Sequence, residues 1–264
     1  MDGNSLQKEN PVKDFLLLVF LLSVPIWLVG GAKLPLPVNL PVSALTAFVP
    51  VMAAAILSFR RHGSKGIKEL VQKAWDYRKI SNRVWYLAIV FLAPFMYLLS
   101  FVVMWLAKRP LPDPIQFPVL WLPVFTVLYL ITGAGEELGW TGYATEPMQN
   151  RWGVLGSGFL LGIIWALWHS IAFIQTGSAM EWVIWQSVKT IAMRMIILWI
   201  YIKAGKSVFA AILYHTADNV SWSLFPNVSS HYDPLVTGLI NCVVIVIIIL
   251  GEKLTGSPSP RQQE

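Results

Sequence analysis

Eight stretches of about twenty mostly apolar residues dominate this chain, and that is the length an α-helix needs to cross a bilayer's hydrocarbon core. They lie near 14–32, 40–58, 84–107, 118–146, 154–175, 181–202, 207–225 and 233–251. Backbone N–H and C=O groups in lipid must be satisfied within the chain, so these spans are predicted to be helices. The expected fold class is therefore all-α: a polytopic transmembrane helical bundle of about eight spans. Composition agrees, with 56% hydrophobic residues and only 13% charged ones, about half the charged share of a soluble domain. Thirteen tryptophans fit the interfacial belts where Trp concentrates.

The basic pI of 9.4 does not point to nucleic acid, because the basic residues lie between apolar runs and no binding motif accompanies them. Cys242, the only cysteine, excludes a disulfide framework and a Cys-based zinc site. It reads as a lipid-facing or packed small hydrophobe. The run from Phe15 is long for a signal-peptide core and further spans follow it, so an uncleaved first span is expected. Three regions follow: 1–117 with three spans and a cytoplasmic amphipathic loop, 118–225 as a helical core, and 226–264 with the last span and a tail. That tail, polar and Pro/Ser-rich from Gly256, is expected to be disordered.

Orientation follows from the positive-inside rule. With the N-terminus in the cytoplasm, inner segments collect fifteen Lys and Arg residues, from Lys8 and Lys13 to Lys253 and Arg261. Outer segments hold three: Lys33, Lys108 and Arg109. Both termini are thus expected in the cytoplasm. The loop 60–83 carries Ile67, Leu70, Val71, Ala74 and Trp75 at one-face helical spacing, the pattern of a helix lying along anionic lipid headgroups.

Ionisable groups at membrane depth cost about 2.5–3.5 kcal/mol each on insertion scales, so each needs a reason. Span four ends in GAGEELGWTGY, with Glu136 and Glu137 adjacent. Adjacent carboxylates in low dielectric repel, which favours a proton on one of them, as general acid–base work requires. A water-facing pair at the interface is the plainer alternative. Span five carries His169 four residues from both Trp165 and Phe173, on one helical face. Span seven carries His215 and Asn219 at i, i+4, with Asp218 placed to orient the imidazole. Taken singly, these are equally read as packing or interhelical hydrogen-bonding groups.

Together they form a pattern. The turn between spans four and five is expected near Arg151-Trp152-Gly153, with Glu136 and His169 each about sixteen residues from it. Equal distances from the turn of an antiparallel hairpin place both residues at one level. Gly133, Gly135, Gly139 and Gly142 on span four, with Gly158 and Gly162 on span five, allow close helix approach. His215 lies only about ten residues from its own turn near Gly205. It reaches the level of Glu136 only if the span 4–5 hairpin projects further into the cytoplasm.

At these residues the chain resembles the CAAX-protease and bacteriocin-processing family of intramembrane endopeptidases, also called the Abi family and including type II CAAX prenyl endopeptidases. Glu136-Glu137 matches the paired-glutamate motif, Trp165-x-x-x-His169 with Phe173 the second motif, and His215-x-x-x-Asn219 the third. The resemblance covers roughly 118–225 and implies hydrolysis of a peptide bond in a membrane-associated peptide or protein. It implies Glu136 as general base beside His169, with Glu137 in the same catalytic set. His215 and Asn219 would be oxyanion donors, a role often worth about 3–4 kcal/mol per donor. The family is also labelled a metalloprotease. On that reading Glu136, His169 and His215 would bind zinc, although no H-E-x-x-H helix is present. The expected cofactor is therefore none or zinc. The expected partners are the lipid bilayer and a peptide or membrane-protein substrate, without nucleic acid.

The family commonly has Arg four residues after the second glutamate, where this chain has Thr141. Lys189 and Arg194 in span six are the buried cations available to neutralise the glutamates instead. Other intramembrane proteases fit worse, since G-x-S-G, G-x-G-D and H-E-x-x-H are all absent. A transporter would use buried charges too, but no inverted repeat stands out. An inactive family member serving as an immunity or scaffold protein would keep the same polar residues.

Overall fold

The computed structural model describes residues 11–32 and 41–254. Lys8, Lys33, Arg261 and the tail from Gly256 lie outside these residues. The main helices are α1 (Pro11–Leu28), α2 (Val49–Gln72), α3 (Trp85–Leu106), α4 (Leu122–Gly139), α5 (Glu146–Gln175), α6 (Met180–Lys203) and α7 (Val208–Leu224). A short helix α8 (Pro226–Ser229) leads to α9 (Pro234–Leu254). The expected eight spans correspond to α1–α7 and α9. By length and hydropathy, however, six segments among the described residues are able to cross a membrane. The difference has two sources. Helices α4 and α5 count as one continuous stretch, Val119–Gln175, although it is kinked at Gly153, and α7 has only 17 residues.

Local chemistry starts these helices where they start. Pro50, Pro123 and Pro147 occupy the first turns of α2, α4 and α5, where a missing N–H leaves no bond unmade. The N-terminus of α7 is held twice. The Ser207 hydroxyl accepts from the Ala210 amide at 3.2 Å, and the Asp76 carboxylate accepts from the amides of Val208 and Phe209. An acidic group there also complements the helix dipole. Asp76 lies in the segment after α2, so that segment fixes where α7 begins.

Helix α2 extends beyond its membrane span, breaking at Gly63, whose φ of 60° suits glycine. The amphipathic loop is thus the second half of α2. Its buried face differs in part from the expected stripe. Leu70 is buried, whereas Val71 and Trp75 are 48% and 70% exposed. The helix rests on the bundle through Gly66 and Leu70, which rotates Val71 and Trp75 outward. Lys73 Nζ donates to the Gly142 carbonyl at 2.6 Å, tying this segment to the end of α4.

The packing of α4 and α5 also differs from a simple small-residue hairpin. Helix α4 packs chiefly on α7 and α2, and α5 on α6. A Cβ at Gly139 would come within 2.5 Å of Pro50 in α2, and Gly158 and Gly162 face α6. Gly133 faces α7 and Gly135 the Ala47 carbonyl just before α2, so the glycines serve approach to other neighbours rather than to each other. Between α4 and α5 the chain makes a π-helix, Trp140–Thr145, a form that recurs near functional sites. The reversal occurs at Gly153, with φ 69°, as expected.

The level problem is resolved at the end of the bundle that carries Lys206. Glu146 pairs with Lys206 at 3.4 Å, so 147–152 is the part of the hairpin that projects further. From that pair, Glu137 and His215 each lie nine residues into the bundle. Outward-facing side chains such as Leu17, Leu21, Phe91 and Phe95 are exposed, as in a bundle whose surroundings are lipid.

Candidate active site

Four helices converge on the two glutamates, which point to different surroundings. Glu137 is wholly buried. Arg194 of α6 grips it with two parallel bonds of 2.8 Å, Nη2 to Oε1 and Nη1 to Oε2. His215 Nδ1 lies 2.9 Å from Oε1, and the Thr141 hydroxyl donates to Oε2. Burial alone would oppose a charge there, but a bidentate guanidinium with two further donors compensates it. Arg194 is thus the cation that faces the glutamates, and it stacks 4.0 Å above the Trp165 ring. Lys189, the other candidate, is turned elsewhere.

Glu136 projects instead into a cavity of about 170 Å³ with His169, His215 and Asn219 on its walls. Its Oε2 accepts from the Trp165 indole at 2.7 Å and lies 3.8 Å from His169 Nε2. The hairpin spacing therefore brings Glu136 and His169 to one level. His169 Nδ1 is 3.0 Å from the Trp165 carbonyl, and a carbonyl only accepts, so Nδ1 carries the proton and Nε2 faces Glu136. Trp165, Trp168 and Phe173 surround the imidazole.

His215 is held by the same logic. Its Nδ1 proton points at the Glu137 carboxylate, leaving Nε2 toward the cavity. Asp218 does not orient His215, contrary to the i, i+3 expectation. It forms a buried ion pair with Lys189, because Lys189 on α6 faces it across the interface. The repulsion expected between adjacent carboxylates is likewise relieved, since Arg194 neutralises Glu137 and successive residues on a helix diverge.

Sequence reasoning placed Trp165 in a motif without assigning it a role. In the structure it touches Glu136, His169, His215 and Arg194 at once. Its i−4 spacing from His169 was the available signal.

The zinc reading requires Glu136, His169 and His215 to converge. Both imidazoles have their Nδ1 atoms engaged and Nε2 atoms free, which suits metal ligation. Among the described residues, however, no three His, Cys, Asp or Glu side chains are grouped closely enough to hold a metal ion. The ligand set does not fit a metal ion as it stands.

Residues 118–221 match the family described as type II CAAX prenyl endopeptidase Rce1-like. This segment is therefore similar to an Rce1-like domain. It contains all five candidate residues: Glu136, Glu137, His169, His215 and Asn219. Over 147 residues the chain is 29% identical to CAAX prenyl protease 2 of Methanococcus maripaludis, a match covering 53% of this chain and 54% of that protein. The chain thus spans about half the length of this curated relative. Within the matched segment, Thr141 on the π-helix after α4 hydrogen-bonds to Glu137, and Arg194 of α6, outside the two glutamates' own helix, supplies its cation.

Proposed function

We propose that this protein is an intramembrane endopeptidase that uses Glu136 to activate water and cleaves a prenylated, CAAX-type C-terminal peptide. The observation that carries the reading is the division of labour in the glutamate pair. Glu137 is consumed by Arg194, His215 and Thr141, while Glu136 faces the cavity beside His169. A carboxylate placed in this way can take a proton from water.

The oxygen of that water adds to the scissile carbonyl carbon, and the carbonyl electrons move onto oxygen. Asn219 donates to this oxyanion from its amide. His215 donates from Nε2 only as an imidazolium, which the Glu137 carboxylate at Nδ1 would stabilise. On collapse the C–N bond breaks, and the leaving amine receives the proton held by Glu136, with His169 positioned to share the transfer. Trp165 and Glu137 act as positioning residues in this scheme. The substrate class comes from the printed name of the relative. An apolar cavity of about 550 Å³ between α3, α4 and α7 shares Tyr97 with the catalytic cavity and has room for a prenyl chain.

The test is cleavage of a fluorogenic peptide with an S-prenylated cysteine three residues from its C-terminus, by purified protein in nanodiscs. Wild type should cleave, and Glu136→Gln should lose about 10²- to 10⁴-fold in rate while still folding. Cleavage abolished by a chelator and restored by zinc would overturn the metal-free scheme. A wild type that cleaves nothing would favour the inactive-scaffold alternative. The asymmetry of Lys and Arg between the connecting segments supports a cytoplasmic location for both termini and the 60–83 segment. Labelling of single cysteines at residue 70 and near the C-terminus should therefore report one side, and opposite sides would refute this orientation.

A further inference from the structure

The catalytic cavity has a second polar wall that the scheme above does not use. Helix α6 lines it with Gln186, Lys189 and Met193, and helix α7 with Asp218 and Trp222. Lys189 Nζ bonds to Asp218 Oδ2 and to the weak acceptor Met193 Sδ at 3.2 Å. An ammonium has three donors, so one remains for the cavity. The Tyr97 hydroxyl also leans on Oδ2, at 3.5 Å. Asp218 Oδ1, by contrast, is buried without a hydrogen-bond partner, although Asp218 is only 1% exposed. Buried carboxylate oxygens are seldom left so.

We propose that Lys189 and Asp218 form a subsite that binds one peptide unit of the substrate. The free acceptor Asp218 Oδ1 takes the N–H of that unit, and the spare Lys189 donor takes a C=O. The chemistry disfavours charged ligands. A carboxylate would satisfy Lys189 but face both Asp218 and Glu136, and an ammonium would face Lys189. A neutral group with a donor and an acceptor side by side matches both, and a peptide backbone offers that repeatedly. Because the pair shares the cavity with Glu136, a peptide unit held there fixes the register of the scissile bond.

This inference rests on the endopeptidase reading, and its test separates the two. Wild type is assayed on the prenylated peptide and on a series of depsipeptides, each with one non-scissile N–H replaced by ester oxygen. One ester should lower kcat/KM roughly tenfold to a hundredfold, the loss expected for a hydrogen bond to a charged group. The other esters should have much smaller effects. Asp218→Asn keeps a carbonyl for Lys189 but can turn its free acceptor into a donor, so it should abolish that selective penalty. If Asp218→Asn does not fold, the uncharged pair Lys189→Met with Asp218→Leu should abolish it equally. A wild type indifferent to every ester, or a penalty that survives in the variants, would reduce the pair to helix packing and overturn the subsite. Failure of wild type to cleave the parent amide would instead overturn the protease reading, and the subsite with it.

Discussion

The cavity face of α4 and its buried face carry the same functional group one residue apart, in opposite conditions. On the buried face, Glu137 has both oxygens occupied by Arg194, His215 and Thr141. On the cavity face, Glu136 has one firm partner, the Trp165 indole, and His169 within 3.8 Å. A saturated carboxylate is locked as a structural anion, because every proton acceptor site already has a donor. An under-saturated one keeps a lone pair for water. In the proposed scheme, partner count, and not residue type or depth, divides positioning from chemistry in this bundle. Asp218 is intermediate, with one oxygen paired and the other free.

The sharpest way to break this comparison is to remove each side chain in turn. Glu137→Leu strands the Arg194 guanidinium in the core, and unpairing a buried ion costs about 3–5 kcal/mol. Glu136→Leu strands no cation, so it should leave stability within about 1 kcal/mol while abolishing cleavage. Equal thermal shifts for the two variants, measured in nanodiscs, would mean that the faces do not differ as described. Arg194→Met should resemble Glu137→Leu, and adding Thr141→Arg to it should recover part of the loss by placing the guanidinium on α4. No recovery would show that Thr141 lacks the reach its hydrogen bond to Glu137 implies.

Smaller effects sharpen the comparison. Trp165→Phe deletes the one firm donor to Glu136 while keeping much of the ring packing on Arg194. A charge-assisted bond is worth about 1.5–3 kcal/mol, so kcat/KM should fall roughly tenfold or more with a modest thermal shift. A large thermal shift without a rate effect would assign Trp165 to packing alone. Asp76→Ala, far from the cavity, removes the second cap of α7 and should cost about 1 kcal/mol. Its effect on cleavage should be smaller than that of Trp165→Phe, because Ser207 still holds the helix start. A larger effect would mean that the segment after α2 sets the height of His215 more tightly than the remaining cap does.

Much of this arrangement was legible in the order of residues. Apolar length required helices, since lipid offers no partner for an unpaired backbone group. The i, i+4 spacings placed His169 beside its aromatic neighbours and put His215 and Asn219 on one wall. Gly153, about sixteen residues from both Glu136 and His169, marked the turn that levels them. What periodicity cannot specify is which helix a polar face meets. Asp218 sits at the right interval to orient His215, yet it pairs with Lys189, because the rotation of α6 against α7 decides its partner. Lys189 and Arg194 are both cations, and in sequence terms both lie within span six. Only the packing of α6 against α4 and α7 sends Arg194 to Glu137 and Lys189 to Asp218. Local interactions reach about four residues along a helix, whereas these ion pairs join residues 57 and 29 positions apart. Their geometry exists only once the helices have docked, and it is that docking which gives the two neighbouring glutamates different work.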